Sequence, residues 1–337
     1  MQNFLKKYLS GKSTENRSSD RRIAFNMKPV EGPWGGSSIF VSQLSEFLKR
    51  RGYTVFYDLD HNLDVIILVD PRTDNEYKIF GPEDISKYVK RNPNVSVLHR
   101  INECDQRKKT AFMDSMLAEA NKVADYTVFI SEWLRDYHAG KWFDIQKPHR
   151  AVYNGADPAI FYPSKKTGDN STTDIFRIVT HHWSDNRLKG FDVYQQVDEM
   201  IAGGELKEVE FRVIGRWPAD IQWKAAKTYP PCTGRDLAAL LRGCHAYLTA
   251  SLWEPCGMHH VEGAQCGLPL IYHEDGGGIV EAGRKYGIGF KDDVTSAVLT
   301  IRDNYAKFRQ SLFQNMPSGD RMCLEYAEII QRLIYEN

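Results

Sequence analysis

Short, continuous runs of Val, Ile and Leu alternate with amphipathic helical patterns in two successive cycles, and this alternation limits the fold more than any other feature of the chain. Strands buried on both faces read as unbroken apolar runs, and parallel strands need crossover connections, usually helical. In the first cycle Ile23-Ala24-Phe25-Asn26 runs into a glycine-rich loop, Gly32-Pro33-Trp34-Gly35-Gly36-Ser37. Ile39, Phe40, Val41, Leu44, Phe47 and Leu48 then recur at three-to-four spacing, and the pattern stops at Arg50-Arg51-Gly52. Strands are expected over 54–57, 65–69, 95–99 and 126–130. A second cycle opens after Asn154-Gly155-Ala156-Asp157-Pro158, with strands over 176–180, 211–214, 246–248 and 270–272. Helices fall over 189–202, 237–241 and 258–266, then at about 294–313 and 320–335; the polar segment 165–174 reads as a surface loop. The expected class is α/β, with two doubly wound Rossmann-like domains. Ligands of such sheets bind beyond the strand C-termini, which places the site in the cleft between the domains.

The domain limits follow from the same pattern: a leader over 1–21, a first domain over 22–154 and a second over 155–318. A closing helix over 319–337 returns to the first domain. Lys+Arg and Asp+Glu are both 44, so a nucleic-acid partner, which calls for a basic excess, is not expected. The six cysteines form no CxxC pair and several lie in apolar stretches, which suits reduced thiols and a cytoplasmic protein. No apolar run approaches the roughly 20 residues of a spanning helix. Phe4, Leu5, Tyr8 and Leu9 around Lys6 and Lys7 suit a surface helix, or a brief amphipathic helix touching a membrane.

Glu254 and Glu262 are separated by seven residues, and Pro255 and Gly257 mark a tight entry into a helix that stops at Gly267-Leu268-Pro269. Glu254 then lies in the entry loop and Glu262 on the helix. The amides of Cys256, Gly257, Met258 and His259 belong to the first turn, where they lack intrahelical acceptors and suit a diphosphate or sugar hydroxyls.

With its context, Ser251-Leu252-Trp253-Glu254-Pro255-Cys256-Gly257 and Glu262-Gly263-Ala264-Gln265-Cys266-Gly267-Leu268-Pro269, this segment resembles the E-x7-E element of retaining glycosyltransferases of family 4. Asn154-Gly155-Ala156-Asp157 resembles that family's hinge, Lys189-Gly190-Phe191-Asp192 its Lys-Gly element, and Gly35-Gly36 its N-terminal glycine loop. The resemblance runs from Arg22 nearly to the end of the chain. It implies the GT-B architecture and transfer of a sugar from a nucleotide diphosphate sugar with retained configuration, with no cofactor and no metal. It also implies roles: Glu262 on the donor ribose, Glu254 on the transferred sugar beside Gly257 and Met258, and Lys189 on the leaving diphosphate. Family members carry an arginine five residues before that lysine, where this chain has Ser184; Arg187 and Arg216 are the candidate substitutes, each with a plain surface ion pair as its alternative reading. A family histidine near the donor sugar corresponds to His99, expected at a strand end facing the cleft, with a structural histidine as the alternative. Asn102, Glu103 and Asp105 are candidates for the acceptor, a glycan or lipid-linked molecule. Asp58-Leu59-Asp60 matches a DxD metal motif formally but closes a strand of the first domain. His181-His182 and His259-His260 lack metal-helix spacing and read as packing or hydrogen-bonding residues. Lys87, Lys90, Arg91, Arg107, Lys108 and Lys109 are either solvated faces or a patch for an anionic membrane or acceptor. An epimerase or hydrolase on the same fold, or a non-catalytic nucleotide-sugar-binding module, is the alternative. A dehydrogenase is disfavoured because no GxGxxG follows the first strand.

Overall fold

The structure, a computed structural model, describes residues 21–30, 32, 35–72, 77–164 and 175–336. The expectations for the leader, for Pro33 and Trp34 and for the loop 165–174 lie outside the described residues. The first domain runs β1 (Arg21–Phe25), α1 (Gly36–Lys49), β2 (Tyr53–Phe56), β3 (Val65–Leu68), α2 (Pro82–Arg91), β4 (Ser96–Ile101), α3 (Asp105–Lys108), α4 (Met113–Ala120), β5 (Tyr126–Phe129), α5 (Glu132–Ala139) and β6 (His149–Ala151). The second runs β7 (Phe176–His182), α6 (Phe191–Ala202), β8 (Val209–Gly215), β9 (Lys227–Tyr229), α7 (Gly234–Arg242), β10 (Ala246–Thr249), α8 (Met258–Gln265), β11 (Leu270–His273), α9 (Ile279–Tyr286) and β12 (Gly287–Phe290). Helices α10 (Val294–Asp303), α11 (Tyr305–Gln314) and α12 (Gly319–Tyr335) close the chain.

Each domain holds a six-stranded sheet, in the orders β2-β1-β3-β4-β5-β6 and β12-β11-β10-β7-β8-β9. Every pairing is parallel. β3 is apolar along its whole length, and both β3 and β10 are buried throughout, as strands covered by helices on both faces must be. The direction of winding reverses between β1 and β3 in the first sheet and between β7 and β10 in the second. A ligand crevice opens at such switch points, beyond the strand C-termini. The described loop residues there are 26–30, 32, 35 and 69–72 on one side, and 183–190 and 250–257 on the other.

The closing helix does return to the first domain. Met322, Tyr326, Ile330 and Leu333 of α12 share a buried cluster with Phe40 and Leu44 of α1 and Ile67 of β3, and the Phe40 and Tyr326 rings lie 4.8 Å apart. The two passages between domains touch at the hinge, where the Gly319 amide donates to the Ala156 carbonyl at 2.8 Å. A Cβ at Gly155 would overlap the Ser318 carbonyl, so this crossing needs glycine.

The expected helix over 189–202 begins only at Phe191, after a 3-10 turn at Arg187–Lys189. The span expected at 294–313 is two helices broken at Asn304. Strands β6, β9 and β12 and helix α9 had no counterpart in the sequence reading.

Candidate active site

A cavity of about 510 Å³ lies between the two switch points, within the size range of small-molecule sites. Two helix N-termini face each other across it. Gly35 and Gly36 open α1, and Gly257 and Met258 open α8; no side chain caps either helix. They approach so closely that a Cβ at Gly36 would lie 3.1 Å from Met258 Cγ. First-turn amides without intrahelical acceptors, together with two helix dipoles, give this gap a positive field.

Glu254 is held at the mouth of α8 by a rigid backbone. Trp253 before it adopts φ 49°, an unusual conformation for a large side chain. The Glu254 amide donates to the Gly276 carbonyl (3.2 Å) and its carbonyl accepts from the Gly278 amide (2.9 Å). Gly277 has φ +69°, and a Cβ at Gly278 would overlap the Pro255 carbonyl oxygen. The run Gly276-Gly277-Gly278 therefore braces the loop that presents the carboxylate.

That carboxylate is shared by cations from both domains. Arg107 on α3 donates from Nε to Glu254 Oε1 (3.0 Å) and from Nη2 to Oε2 (3.3 Å). Lys189 Nζ donates to Oε2 at 2.5 Å. Arg107 Nη1 also donates to both Glu103 oxygens, at 3.2 and 3.0 Å, and Lys108 Nζ lies 2.8 Å from Glu103 Oε2. Burial opposes ionisation of Glu254, but Arg107 and Lys189 outweigh it and hold the carboxyl well below the usual carboxylate range. Burial likewise draws the Lys189 ammonium below its usual value, against the pull of Glu254.

Lys189, Glu254, Cys256, Gly257, Met258, His259, Gly35, Gly36, Arg216, Asn102 and Glu103 all line the cavity. Asn102 donates to Ser37 Oγ (2.9 Å), and Arg216, exposed, donates to the Trp183 carbonyl (3.0 Å). Four expected residues lie elsewhere. Asp105 accepts from the Met113 and Asp114 amides at 2.9 and 3.2 Å, so it terminates α4. Arg187 projects to solvent between Asp192 and Asp220, an ordinary surface ion pair. Glu262 sits behind the wall, where His181 Nε2 donates to its Oε2 at 2.9 Å; it is His181 that lines the cavity.

His99 is the fourth. It is fully buried and does not line the cavity. Its Nδ1 meets Asn121 Nδ2 at 3.0 Å, and burial lowers its pKa to about 3. Side chains alternate along a strand, so it is the neighbouring Arg100 that reaches the cavity. Arg100 Nη2 donates to Asn154 Oδ1 (2.9 Å), and Asn154 Nδ2 donates to the Cys256 carbonyl (2.6 Å), tying the first sheet through the hinge to the α8 loop.

The basic stretch of the first domain divides. Lys87, Lys90 and Arg91 are exposed on α2, whereas Arg107 and Lys108 turn toward Glu103 and Glu254. Among the described residues no group of three or more His, Cys, Asp or Glu side chains is placed to hold a metal. No described helix is long and apolar enough to cross a membrane, and all six cysteines are unpaired.

No protein-family model matches the chain, and no curated protein matches it. Solved structures do. Sucrose-phosphate synthase from Thermosynechococcus elongatus superposes with a TM-score of 0.68 at 14% identity, covering 94% of this chain and 100% of that one. HepE from Anabaena, in complex with UDP and glucose, gives 0.66 at 12% identity over 92% and 99%. WaaG, described as a glycosyltransferase involved in lipopolysaccharide biosynthesis, gives 0.61 at 11% identity over 92% and 99%. The fold is GT-B. In a GT-B chain the cleft between the domains is where two crevices face one another, and the cavity described above fills that position. Arg107 was expected only as part of a basic face and Asn154 only as a hinge residue, while Arg100 and the glycine brace were given no role from sequence. Only Asn154 and the triple glycine left a local trace there; the other two are set by pleat parity and by a contact across 147 residues.

Proposed function

We propose that this chain is a retaining glycosyltransferase that moves a sugar from a nucleoside diphosphate sugar to an acceptor hydroxyl without a divalent metal. One observation carries the reading: Lys189, Glu254 and the uncapped start of α8 converge on one wall of the interdomain cavity. Anabaena HepE was captured with UDP and with UDP-glucose, which supports a uridine donor on this scaffold.

In this reading the diphosphate sits at the α8 N-terminus, with Lys189 and Arg216 beside it. The bond from the sugar C1 to the β-phosphate oxygen breaks, and the acceptor oxygen bonds to C1 on the same face. The acceptor proton passes to the departing phosphate oxygen. Charge grows on that phosphate in the transition state, so fixed amides and cations aimed at it lower the barrier; they do the work a metal does elsewhere. Glu254 exchanges its cation partners for sugar hydroxyls. Glu262 serves the nucleoside end by holding His181 against the cavity. The exposed Lys87, Lys90 and Arg91 on α2 suit an anionic membrane carrying a lipid-linked acceptor, and six unpaired cysteines fit a cytoplasmic setting.

The test is incubation with UDP- and GDP-sugars in EDTA, with proton NMR of the new anomeric centre. The reading expects turnover in EDTA and retained configuration. An inverted product, or turnover that appears only on adding a divalent metal, refutes it.

A further inference from the structure

Arg100 is a cation with no anion. It is 1% exposed, and among the described residues no carboxylate pairs with it. Its Nη2 is used by Asn154, but Nε and Nη1 have no hydrogen-bond partner. Burial draws its pKa down, against the pull of the neighbouring Tyr326 hydroxyl, a neutral partner beside the guanidinium, and of Cys256. Both of those groups are neutral near pH 7, because burial pushes the Cys256 thiol up to about 12 and the Tyr326 hydroxyl higher still. The guanidinium stacks 4.1 Å from the Phe40 ring centroid, which supplies packing and no counter-charge. A buried charge without a partner is among the costlier features a fold can carry.

The same side chain lines the cavity, on the first-domain wall that also holds the uncapped N-terminus of α1 with Gly35, Gly36 and Ser37. The other cations of that wall are occupied: Arg72 by Asp70, Lys108 by Glu103, and Arg107 by Glu103 and Glu254. An unsatisfied guanidinium beside a helix N-terminus is an oxyanion receptor.

We infer that Arg100 and the first turn of α1 bind an anionic group, phosphate or carboxylate, carried by the acceptor. The inference rests on the glycosyltransferase reading and narrows it: the acceptor is a charged molecule, and its charge docks on the wall opposite Lys189. Arg100 is thus a specificity-determining residue, kept at a cost to the empty protein. The donor's own diphosphate is the rival source of such an anion, so the test must separate the two.

Inorganic phosphate is the probe, compared with chloride at equal ionic strength, in wild type, Arg100→Met and Lys189→Ala. Melting temperature is followed with and without saturating UDP or GDP. Phosphate is expected to stabilise wild type and Lys189→Ala, with nucleotide present as well as absent. Its apparent affinity should fall roughly ten- to hundredfold in Arg100→Met, the loss of charge-assisted bonds. Without ligand, Arg100→Met should melt no lower than wild type, because it removes an unpaired buried charge; Arg100→Gln serves as a second variant. Phosphate acting no differently from chloride overturns the inference. So does competition between phosphate and nucleotide, which returns Arg100 to the donor, and so does a large loss of melting temperature in both Arg100 variants, which makes its role structural. Failure of every nucleotide to stabilise wild type strikes instead at the glycosyltransferase reading, whatever phosphate does.

Discussion

Arg107 of the first domain and Glu254 of the second meet across the cleft in a two-point ion pair, Nε to Oε1 at 3.0 Å and Nη2 to Oε2 at 3.3 Å. With Lys189 on Oε2, the pair fills three of the roughly four acceptor positions of the carboxylate proposed to hold the sugar. A sugar that offers Glu254 more than one hydroxyl would displace Arg107, whose guanidinium keeps its bonds to Glu103.

Arg107→Ala should loosen the two domains. Removing one partner of a buried pair costs about 3–5 kcal/mol, but Lys189 still neutralises Glu254 and Lys108 still neutralises Glu103. We expect a loss of about 1–3 kcal/mol in denaturant titration, and a larger radius of gyration by small-angle scattering of the unliganded protein. An unchanged radius would show that the pair does not restrain the cleft.

Ser184 stands where the resemblance to family 4 calls for an arginine, and two arginines are candidates for that role. Arg216 lines the cavity, while Arg187 is committed to Asp192 and Asp220 at the surface. Arg216→Ala should weaken nucleoside diphosphate binding roughly tenfold, and Arg187→Ala should leave it within about twofold. Calorimetry with UDP and GDP decides; the reverse order contradicts the placement.

Much of the fold could be read from the chain because strands such as Val65–Leu68 are apolar throughout and Ala246–Leu248 is a short, buried run before Thr249. Strands β6 and β9 could not, since His149–Ala151 and Lys227–Tyr229 are three-residue edge strands with polar side chains. Helix α9 follows directly on Gly276-Gly277-Gly278, and β12 holds two glycines in four residues, which blurs the pattern of both. At the site, Lys189 and the Glu254 segment were legible as local motifs. His99 was misplaced by one position, because sequence similarity locates a strand end but not the parity of its pleat, and Arg100 inherits the cavity face. Arg187 was misplaced by the 3-10 turn, which sends residues two apart in different directions. Partnership of Arg107 with Glu254 exists only once the domains are assembled.

The buried histidines should make the protein acid-labile. Burial lowers His99 to about 3 and His245 and His260 to about 4, and holds His182 and His259 well below 6.5. Above pH 6.5 neither state carries these protons and they do not affect stability. As pH falls below 6.5 the unfolded chain takes them up first, so stability drops until the folded values are reached. Each group contributes a slope of up to about 1.4 kcal/mol per pH unit. Glu254 is shifted in the same direction, by its cations rather than by burial: its contribution is full above about pH 4.5, its ordinary value, and is lost as pH falls below that. Melting temperature should therefore fall between pH 6.5 and 4, with a shallower slope in His99→Gln. That variant should also bind nucleotide as wild type does, since His99 does not line the cavity.

Gly278→Ala tests the brace behind Glu254. The added methyl group overlaps the Pro255 carbonyl oxygen and must displace the loop. We expect about 1–3 kcal/mol of destabilisation with a loss of turnover greater than the loss of nucleotide affinity, because the carboxylate moves while Lys189 does not. Equal turnover in the variant would remove the brace from the account.

The cavity between the two switch points is proposed to take a nucleoside diphosphate sugar on Lys189 and the α8 N-terminus. Thermal stabilisation across a panel of UDP- and GDP-sugars, for wild type and Lys189→Ala, tests this proposal at its root. At about 100 times its Kd, a true donor adds about 2.7 kcal/mol to the stability of the folded state. The expected result is a clear rise in melting temperature of wild type with at least one member of the panel, and its loss in Lys189→Ala. No shift with any nucleotide or nucleotide sugar, or equal shifts in both proteins, would contradict it.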